Sequence, residues 1–247
     1  LPSGYTLPVR ISHSTAGPGA GNDSVVFAFH GSKVKKSVSY DPGEFELVVG
    51  TNDLSLTHNG EPFLDDVTFQ PVAFHCPEQA FFNLDQRCMF NCIYCSSPLL
   101  DRNITKDLTD EKIIGMIRDS KEPIEAIALT SGVYGSVEQT VQRMVSCVKA
   151  LRKEFPDLPI GVEPYIENHE QIDRLFEAGA NEIKINCECA RKDIFVKACP
   201  ELDYDNIFRM LVHAVDVFGK GKVASNIIVG LGESDEDLRD IMVRLAS

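Results

Sequence analysis

The stretch Gln79-Ala80-Phe81-Phe82-Asn83-Leu84-Asp85-Gln86-Arg87-Cys88-Met89-Phe90-Asn91-Cys92-Ile93-Tyr94-Cys95 carries two signals in succession. Ala80–Leu84 reads as a short strand. It runs straight into three cysteines spaced C-x3-C-x2-C, with an aromatic just before the third. A loop this short can wrap its three thiolates around one metal centre. From Gln79 onward strand and helix alternate, so this stretch opens a series.

Leu108–Lys121 reads as a helix with Thr109 as N-cap and Asp110 and Glu111 in its first turn. Ile124–Leu129 is a second strand. Val137–Phe155 follows as a helix whose Val141, Met144, Val145, Val148 and Leu151 share one face at 3.6-residue spacing. Ile160–Val162 is a third strand, followed by a helix from about Asn168 with Ile172, Leu175 and Phe176. Glu182–Asn186 is the fourth strand, Tyr204–Phe218 a helix, Val223–Val229 the fifth strand, and a last helix opens at Ser234. Alternation of this kind gives an α/β fold of parallel βα units, an open or partial (β/α) TIM-type barrel over residues 76–247. Five units cannot close an eight-stranded barrel, so the reading expects the chain to continue past Ser247.

Residues 1–75 read differently, as a small β-rich accessory region. Val25–Phe29, Phe45–Val49, Leu54–Thr57 and Phe63–Phe69 are β-prone, and Asn59-Gly60 is a hairpin turn. The loop around Gly17, Gly19 and Gly21 lacks the strand-turn-helix context and the lysine of a phosphate cradle, and reads as flexible.

A net charge of −13 with only 24 Lys and Arg argues against nucleic acid, whose backbone is bound by clustered cations. No apolar run reaches the roughly 18–20 residues of a membrane span, and no basic-then-apolar leader opens the sequence. The expectation is a cytoplasmic protein without membrane partners. Eight cysteines in a chain of 247 residues then read as reduced thiols or metal ligands, not disulfides.

For the metal, two readings follow from the residues. A zinc site would need a fourth ligand, such as His75 or Cys76, to close a tetrahedron in a zinc-stapled binding module. A [4Fe–4S] cluster normally takes four cysteines, so three leave one iron with an open position. Here Cys88-x3-Cys92-x2-Cys95, with Tyr94 at the aromatic position and a strand before it, resembles the radical S-adenosylmethionine (radical SAM) superfamily. That resemblance implies an enzyme in which the open iron chelates S-adenosylmethionine. One electron then cleaves the sulfonium, and a 5′-deoxyadenosyl radical abstracts hydrogen from an unreactive carbon.

The resemblance extends to the carboxyl ends of the strands, where parallel barrels bind ligands. Thr130-Ser131-Gly132 lies where the superfamily has a small turn meeting the methionine amino group, though the commoner form is Gly-Gly-Glu. In Ile183-Lys184-Ile185-Asn186-Cys187-Glu188, alternation sends the isoleucines to the helix layer and Lys184, Asn186 and Glu188 inward. By resemblance Asn186 and Glu188 bind the ribose or the sulfonium end, and Glu163 joins them or pairs with Lys184. Asn226-Ile227-Ile228-Val229-Gly230-Leu231-Gly232-Glu233 is similar to an Ile-x-Gly-x-x-Glu signature whose backbone meets adenine, matched by Ile228, Gly230 and Glu233, in a form shared with biotin and lipoyl synthases.

Of the other cysteines, Cys147 reads as packing. Cys187 and Cys189, with Cys199 ten residues on, are candidates for an auxiliary cluster or simply for buried or reactive thiols. His75-Cys76-Pro77 reads as structural. The reaction expected is C–H modification, with carbon methylation through a carrier such as cobalamin ahead of sulfur insertion from an auxiliary cluster. The implied partners are an electron donor such as ferredoxin or flavodoxin and a small-molecule or protein substrate.

Overall fold

The computed structural model describes residues 1–8, 12–13, 23–50, 53–70, 79–99, 108–120 and 123–246. The glycine-rich loop at 17–21 and His75-Cys76-Pro77 lie outside them. The chain divides into two compact units, Leu1–Ala73 and Phe74–Ser247.

The first unit holds β1 (Ser12–His13), β2 (Asp23–Phe29), β3 (Ser32–Ser37), β4 (Phe45–Val49), β5 (Leu54–His58), β6 (Glu61–Leu64) and β7 (Thr68–Gln70). One antiparallel sheet runs β1-β2-β3 with β7 also on β2, and a second runs β4-β5-β6. Val25, Phe27, Leu47 and Val67 form its core. Asn59 and Gly60, at φ 51° and 84°, make the expected hairpin turn. A second such turn, His30-Gly31 at φ 45° and 77°, leads into β3. The sequence reading missed β3 because its lysines mask a strand; β3 lies at one edge of its sheet. Phe63–Phe69 is not one strand. Asp66, at φ 53°, turns the chain, so β6 and β7 end in different sheets.

The second unit is built on β8 (Gln79–Asn83), β9 (Ala126–Thr130), β10 (Ile160–Glu163), β11 (Glu182–Lys184) and β12 (Val223–Ala224), all parallel and in sequential order β12-β11-β10-β9-β8. Between them run α1 (Asp110–Arg118), α2 (Val137–Glu154), α3 (His169–Glu177), α4 (Lys192–Ala198) and α5 (Tyr204–Phe218), and α6 (Asp235–Ala246) follows β12. This is an open, partial (β/α) barrel. None of the described helices is long and apolar enough to cross a membrane.

Local chemistry starts these helices. The side chains of Thr109, Ser136, Asn168 and Asp203 accept from backbone N–H groups three residues on, at 3.0–3.3 Å. Each helix then buries a stripe: all five residues named for α2 lie in the core, as do Ile172 and Leu175 of α3, whereas Phe176 is exposed. Facing them are Ile127 and Leu129 of β9, Ile160 and Val162 of β10, and Ile183 of β11. Cys147 is fully buried among these side chains, as packing requires. At the far end, Arg152 in the last turn of α2 donates to the carbonyls of Pro156, Leu158 and Gly179 and to Asn181 Oδ1, at 2.6–2.9 Å. One guanidinium thus ties α2 to the turns that feed β10 and β11.

Three boundaries depart from the sequence reading. The helix α4 was not foreseen, being seven residues long with an N-cap, Arg191, that makes no capping bond. Strand β11 stops at Lys184 and β12 at Ala224, because Cys187 N donates to Ser225 Oγ at 2.9 Å in place of a carbonyl. Glu188, at φ 63°, then turns away, leaving an isolated bridge to Ile227.

Candidate functional site

The cysteine loop is gripped from both sides. On one side it rests on the turn after β9: Met89 N donates to Val133 O and Gly132 N to Asp85 O, each at 2.7 Å. The approach is so close that a Cβ on Gly132 would lie 2.3 Å from Arg87 O. Asp85 also takes Arg87 in a two-pronged pair, with the Arg87 Nε and Nη2 donors at 2.9 and 2.7 Å, and the guanidinium lies 3.8 Å over the Tyr134 ring.

On the other side stands the segment after α4. Ile93 N donates to Ala198 O at 2.9 Å. The Glu201 carboxylate accepts from Asn91 N and Nδ2 at 3.1 and 2.8 Å. The Tyr94 hydroxyl is 3.2 Å from Cys199 Sγ. Glu201 was invisible in the sequence reading, since nothing local marks a residue 110 positions away as a partner of the loop.

Cys88, Cys92 and Cys95 are half-buried and in no disulfide. Burial pushes the Cys88 thiol up, and the nearby Cys95 and Cys92 sulfurs push the same way. Cys92 is raised as well, first by the Cys199 thiol and then by burial. Such thiols stay neutral until a metal takes the place of their protons. Among the described residues no three His, Cys, Asp or Glu side chains are grouped as for a single ion. The donor set fits an iron–sulfur cluster: three thiols on one braced loop, with the backbone of a glycine turn pressed against it.

The inward polar residues form one network. Glu163 accepts from Lys184 Nζ at 3.3 Å and from Asn186 Nδ2 at 2.8 Å, so the pairing with Lys184 is present. Asn186 Oδ1 accepts from Asn226 N at 3.2 Å. Glu188 N donates to Asn226 O at 3.1 Å, and Ile228 N to Glu188 O at 2.8 Å. The Tyr94 hydroxyl and the Asn186 amide reach the Glu188 carboxylate, but burial and the charge of Glu163 outweigh them and lift it to about 7. The network therefore runs from the cysteine loop through Tyr94 and Glu188 to the ends of β10 and β11.

The remaining candidates are placed separately. Thr130 Oγ1 donates to Glu163 O at 3.4 Å and Ser131 Oγ to Gly132 O at 2.8 Å, so this turn borders both the loop and the network. Glu233 accepts from the backbone N–H groups of Gly230 and Leu231, the latter at 2.9 Å, and thus shapes its own turn. Gly230, at φ 100°, allows that shape. Leu231 and Gly232 share a cleft of about 210 Å³ with Ile93, so the turn and the cysteine loop meet at one opening. A larger cavity, about 540 Å³, is lined by His169, Phe208 and His213 and borders none of these residues.

Cys199 lies at the loop, its Sγ 3.2 Å from the Tyr94 hydroxyl. Cys189 and Cys199 are both buried. The Cys199 thiol is pushed up to about 12, first by the Cys189 thiol. Cys187 is buried and raised by burial.

Residues 83–245 match the family model of the radical SAM superfamily. Over 163 residues the chain is 22% identical to a lipoyl synthase of Ectopseudomonas mendocina, covering 63% of this chain and 45% of that protein. Over 171 residues it is 25% identical to a biotin synthase of Cutibacterium acnes, covering 64% and 44%. The chain thus spans less than half the length of these relatives. Among solved structures it resembles methylornithine synthase (PylB), with a TM-score of 0.59 at 19% identity over 68% of this chain and 49% of that one. It also resembles HydG, a maturase of the [FeFe]-hydrogenase, with a TM-score of 0.55 at 17% identity over 68% and 38%. Those likenesses are of fold.

Proposed function

Because the chain belongs to the radical SAM superfamily, we propose that Cys88, Cys92 and Cys95 ligate three irons of a [4Fe–4S] cluster and leave the fourth to S-adenosylmethionine. The observation that carries this reading is the double grip on the C-x3-C-x2-C loop, by Gly132 and Val133 on one side and Ala198–Glu201 on the other. When bound, the two cofactors supply an electron to the sulfonium and a 5′-deoxyadenosyl radical that takes a hydrogen atom from an unactivated carbon.

The chain's own residues hold and orient. The turn Thr130-Ser131-Gly132 offers its backbone to the methionine end, next to the loop it supports. Asn186 and Glu188, fixed by Glu163, Lys184 and Asn226, face the ribose and the sulfonium. Tyr94 covers the loop on the side of Cys199. Backbone around Asn226 and Ile228 meets adenine, while Gly230 and Glu233 keep the adjoining turn in shape. Release of the raised Cys88 and Cys92 protons accompanies loading.

We place this chemistry in residues 76–247 and give residues 1–75 an accessory role. The setting is a reducing, cytoplasmic one with ferredoxin or flavodoxin as electron donor. The substrate is a small molecule or a protein, and the reaction is modification of a C–H carbon. Carbon methylation with cobalamin as carrier comes first, supported by Cys199, whose Sγ lies 3.2 Å from the Tyr94 hydroxyl at the cysteine loop and is thereby taken from a separate cluster. Sulfur insertion is the second reading, favoured by similarity to the lipoyl and biotin synthases.

Anaerobic reconstitution with iron and sulfide tests the proposal. A brown protein with roughly four irons per chain, which releases 5′-deoxyadenosine when reduced with S-adenosylmethionine and loses both properties on Cys92→Ala, bears it out. A colourless protein holding one zinc per chain would overturn it. Iron near eight per chain would move sulfur insertion ahead, and cobalamin co-purifying with the full-length protein would support methylation.

A further inference from the structure

The sheet β4-β5-β6 carries an aromatic cluster that stands in solvent. Phe45 and His58 are directly opposite in the β4-β5 register and stack at 4.5 Å between ring centroids. Phe63 of β6 meets Phe45 edge-on at 5.2 Å and lies 6.1 Å from His58. Asn59 Nδ2, 3.2 Å from His58 Nε2, steadies the middle ring. Phe45 and Phe63 are each 53% exposed, although Leu47, two residues along the same face of β4, is buried in the core of its unit. One exposed phenylalanine needs no explanation; three rings in contact make a patch.

Its surroundings are of one sign. Residues 41–66 hold seven carboxylates and no Lys or Arg. All seven are exposed, and among the described residues none is paired with a cation. Glu61 is in register with His58, so its side chain shares the aromatic face. Glu44 stands at the same end of the sheet, its carbonyl accepting from Asn59 N at 2.7 Å. The ring faces are themselves the negative parts of their quadrupoles. Carboxylates and ring faces together repel nucleic acid and anionic membrane, and attract a cation. Among cations a planar guanidinium suits exposed rings better than an ammonium, and this molecule uses that pairing itself: Arg244 lies 3.6 Å over Phe208.

We propose that the face formed by Phe45, His58 and Phe63 docks an arginine-bearing segment of a partner protein, with guanidinium groups lying on the rings and paired with Glu44 and Glu61. Each arginine then meets a ring and a carboxylate at once, which a lysine cannot do with one flat group.

The test uses the whole chain with a hexa-arginine peptide as probe and hexa-lysine as comparison. A benzophenone-bearing hexa-arginine peptide, irradiated with the protein at physiological salt, should cross-link within residues 44–63, read by peptide mass mapping. Fluorescence anisotropy should show tighter binding of hexa-arginine than of hexa-lysine. Glu44→Gln combined with Glu61→Gln should weaken hexa-arginine binding roughly fivefold, and Phe63→Ala about two- to fivefold. Glu170→Gln combined with Glu177→Gln removes the same charge from exposed positions on α3 and should leave binding nearly unchanged. Cross-links that fall mainly outside residues 41–66, or equal affinity for the two peptides, would overturn the proposal, and neither result needs a variant to fold. So would a wild-type dimer in sedimentation that Phe63→Ala dissolves, since the face would then belong to a second copy of the chain. Iron plays no part in these measurements, so the cluster reading stands or falls apart from them.

Discussion

Replacing Gly132 by alanine tests how closely the β9 turn and the cysteine loop must approach. The new Cβ would lie 2.3 Å from Arg87 O, 3.0 Å from Arg87 C and 3.2 Å from Asp85 O, all backbone atoms. No side chain can swing aside, so the two segments must part by roughly 1 Å to restore ordinary contact. Parting stretches the 2.7 Å bonds from Gly132 N to Asp85 O and from Met89 N to Val133 O, which flank the contact. Overpacking of this kind costs about 1–3 kcal/mol, with a melting temperature lower by about 2–4 °C per kcal/mol in a chain of this size. Cys88 moves with the loop, so iron retained after reconstitution should fall further than stability does. Thermal denaturation of the cluster-free protein, set beside iron and sulfide content, separates the two effects. A Gly132→Ala protein with unchanged melting temperature and iron content would refute the close approach.

Cys88→Ala and Cys95→Ala should each reduce reconstituted iron to the background of the Cys92→Ala protein, read by iron assay. Glu201→Ala should lower iron retention with the circular dichroism spectrum unchanged, because its two bonds to Asn91 hold the loop and not the sheet. Asn91→Ala should do the same, and the double variant should be no worse than either single one. Glu188 titrates at about 7 when folded, above the ordinary carboxylate range, so the folded state binds its proton more tightly than the unfolded state. Its ionisation therefore takes stability away as pH rises from about 5 to about 8, and this loss should be absent in Glu188→Gln, as denaturation curves of the cluster-free proteins across that range will show. Arg152→Ala should destabilise the protein by about 1–3 kcal/mol through the carbonyls it leaves unpaired.

Strands were legible where packing repeats and obscure where a single contact decides. The stripe of α2, the cap Thr109 and the start of α3 near Asn168 are written in local residue patterns, and each was readable. The shared side of Lys184 and Asn186, which both meet Glu163, was readable by alternation, whereas Glu188 lies past the end of β11 at φ 63°. The early end of β12 was not readable, because it follows from one hydroxyl, Ser225 Oγ, taking the amide of Cys187. Nor was the role of Glu233, whose carboxylate serves the amides of its own turn. Both grips on the cysteine loop come from far along the chain, and the pairing of Asn91 with Glu201 or of Tyr94 with Cys199 leaves no periodic trace. Residue type alone could suggest Cys199 as a reactive thiol; only the fold puts it beside Tyr94 of the cysteine loop.

That loop also has a place in the order of synthesis. On the ribosome Cys88–Cys95 emerges first, the turn at Gly132 about 40 residues later, and Glu201 about 110 residues after Asn91. At the usual elongation rates of ~5–20 residues per second, the nascent chain spends several seconds with its cysteines presented but unbraced. Iron delivered in that interval would meet a flexible peptide; delivered afterwards, it would meet a formed seat. The strand order makes the delay unavoidable, since each βα unit is added beside the last, and the segment that closes the grip belongs to the fourth.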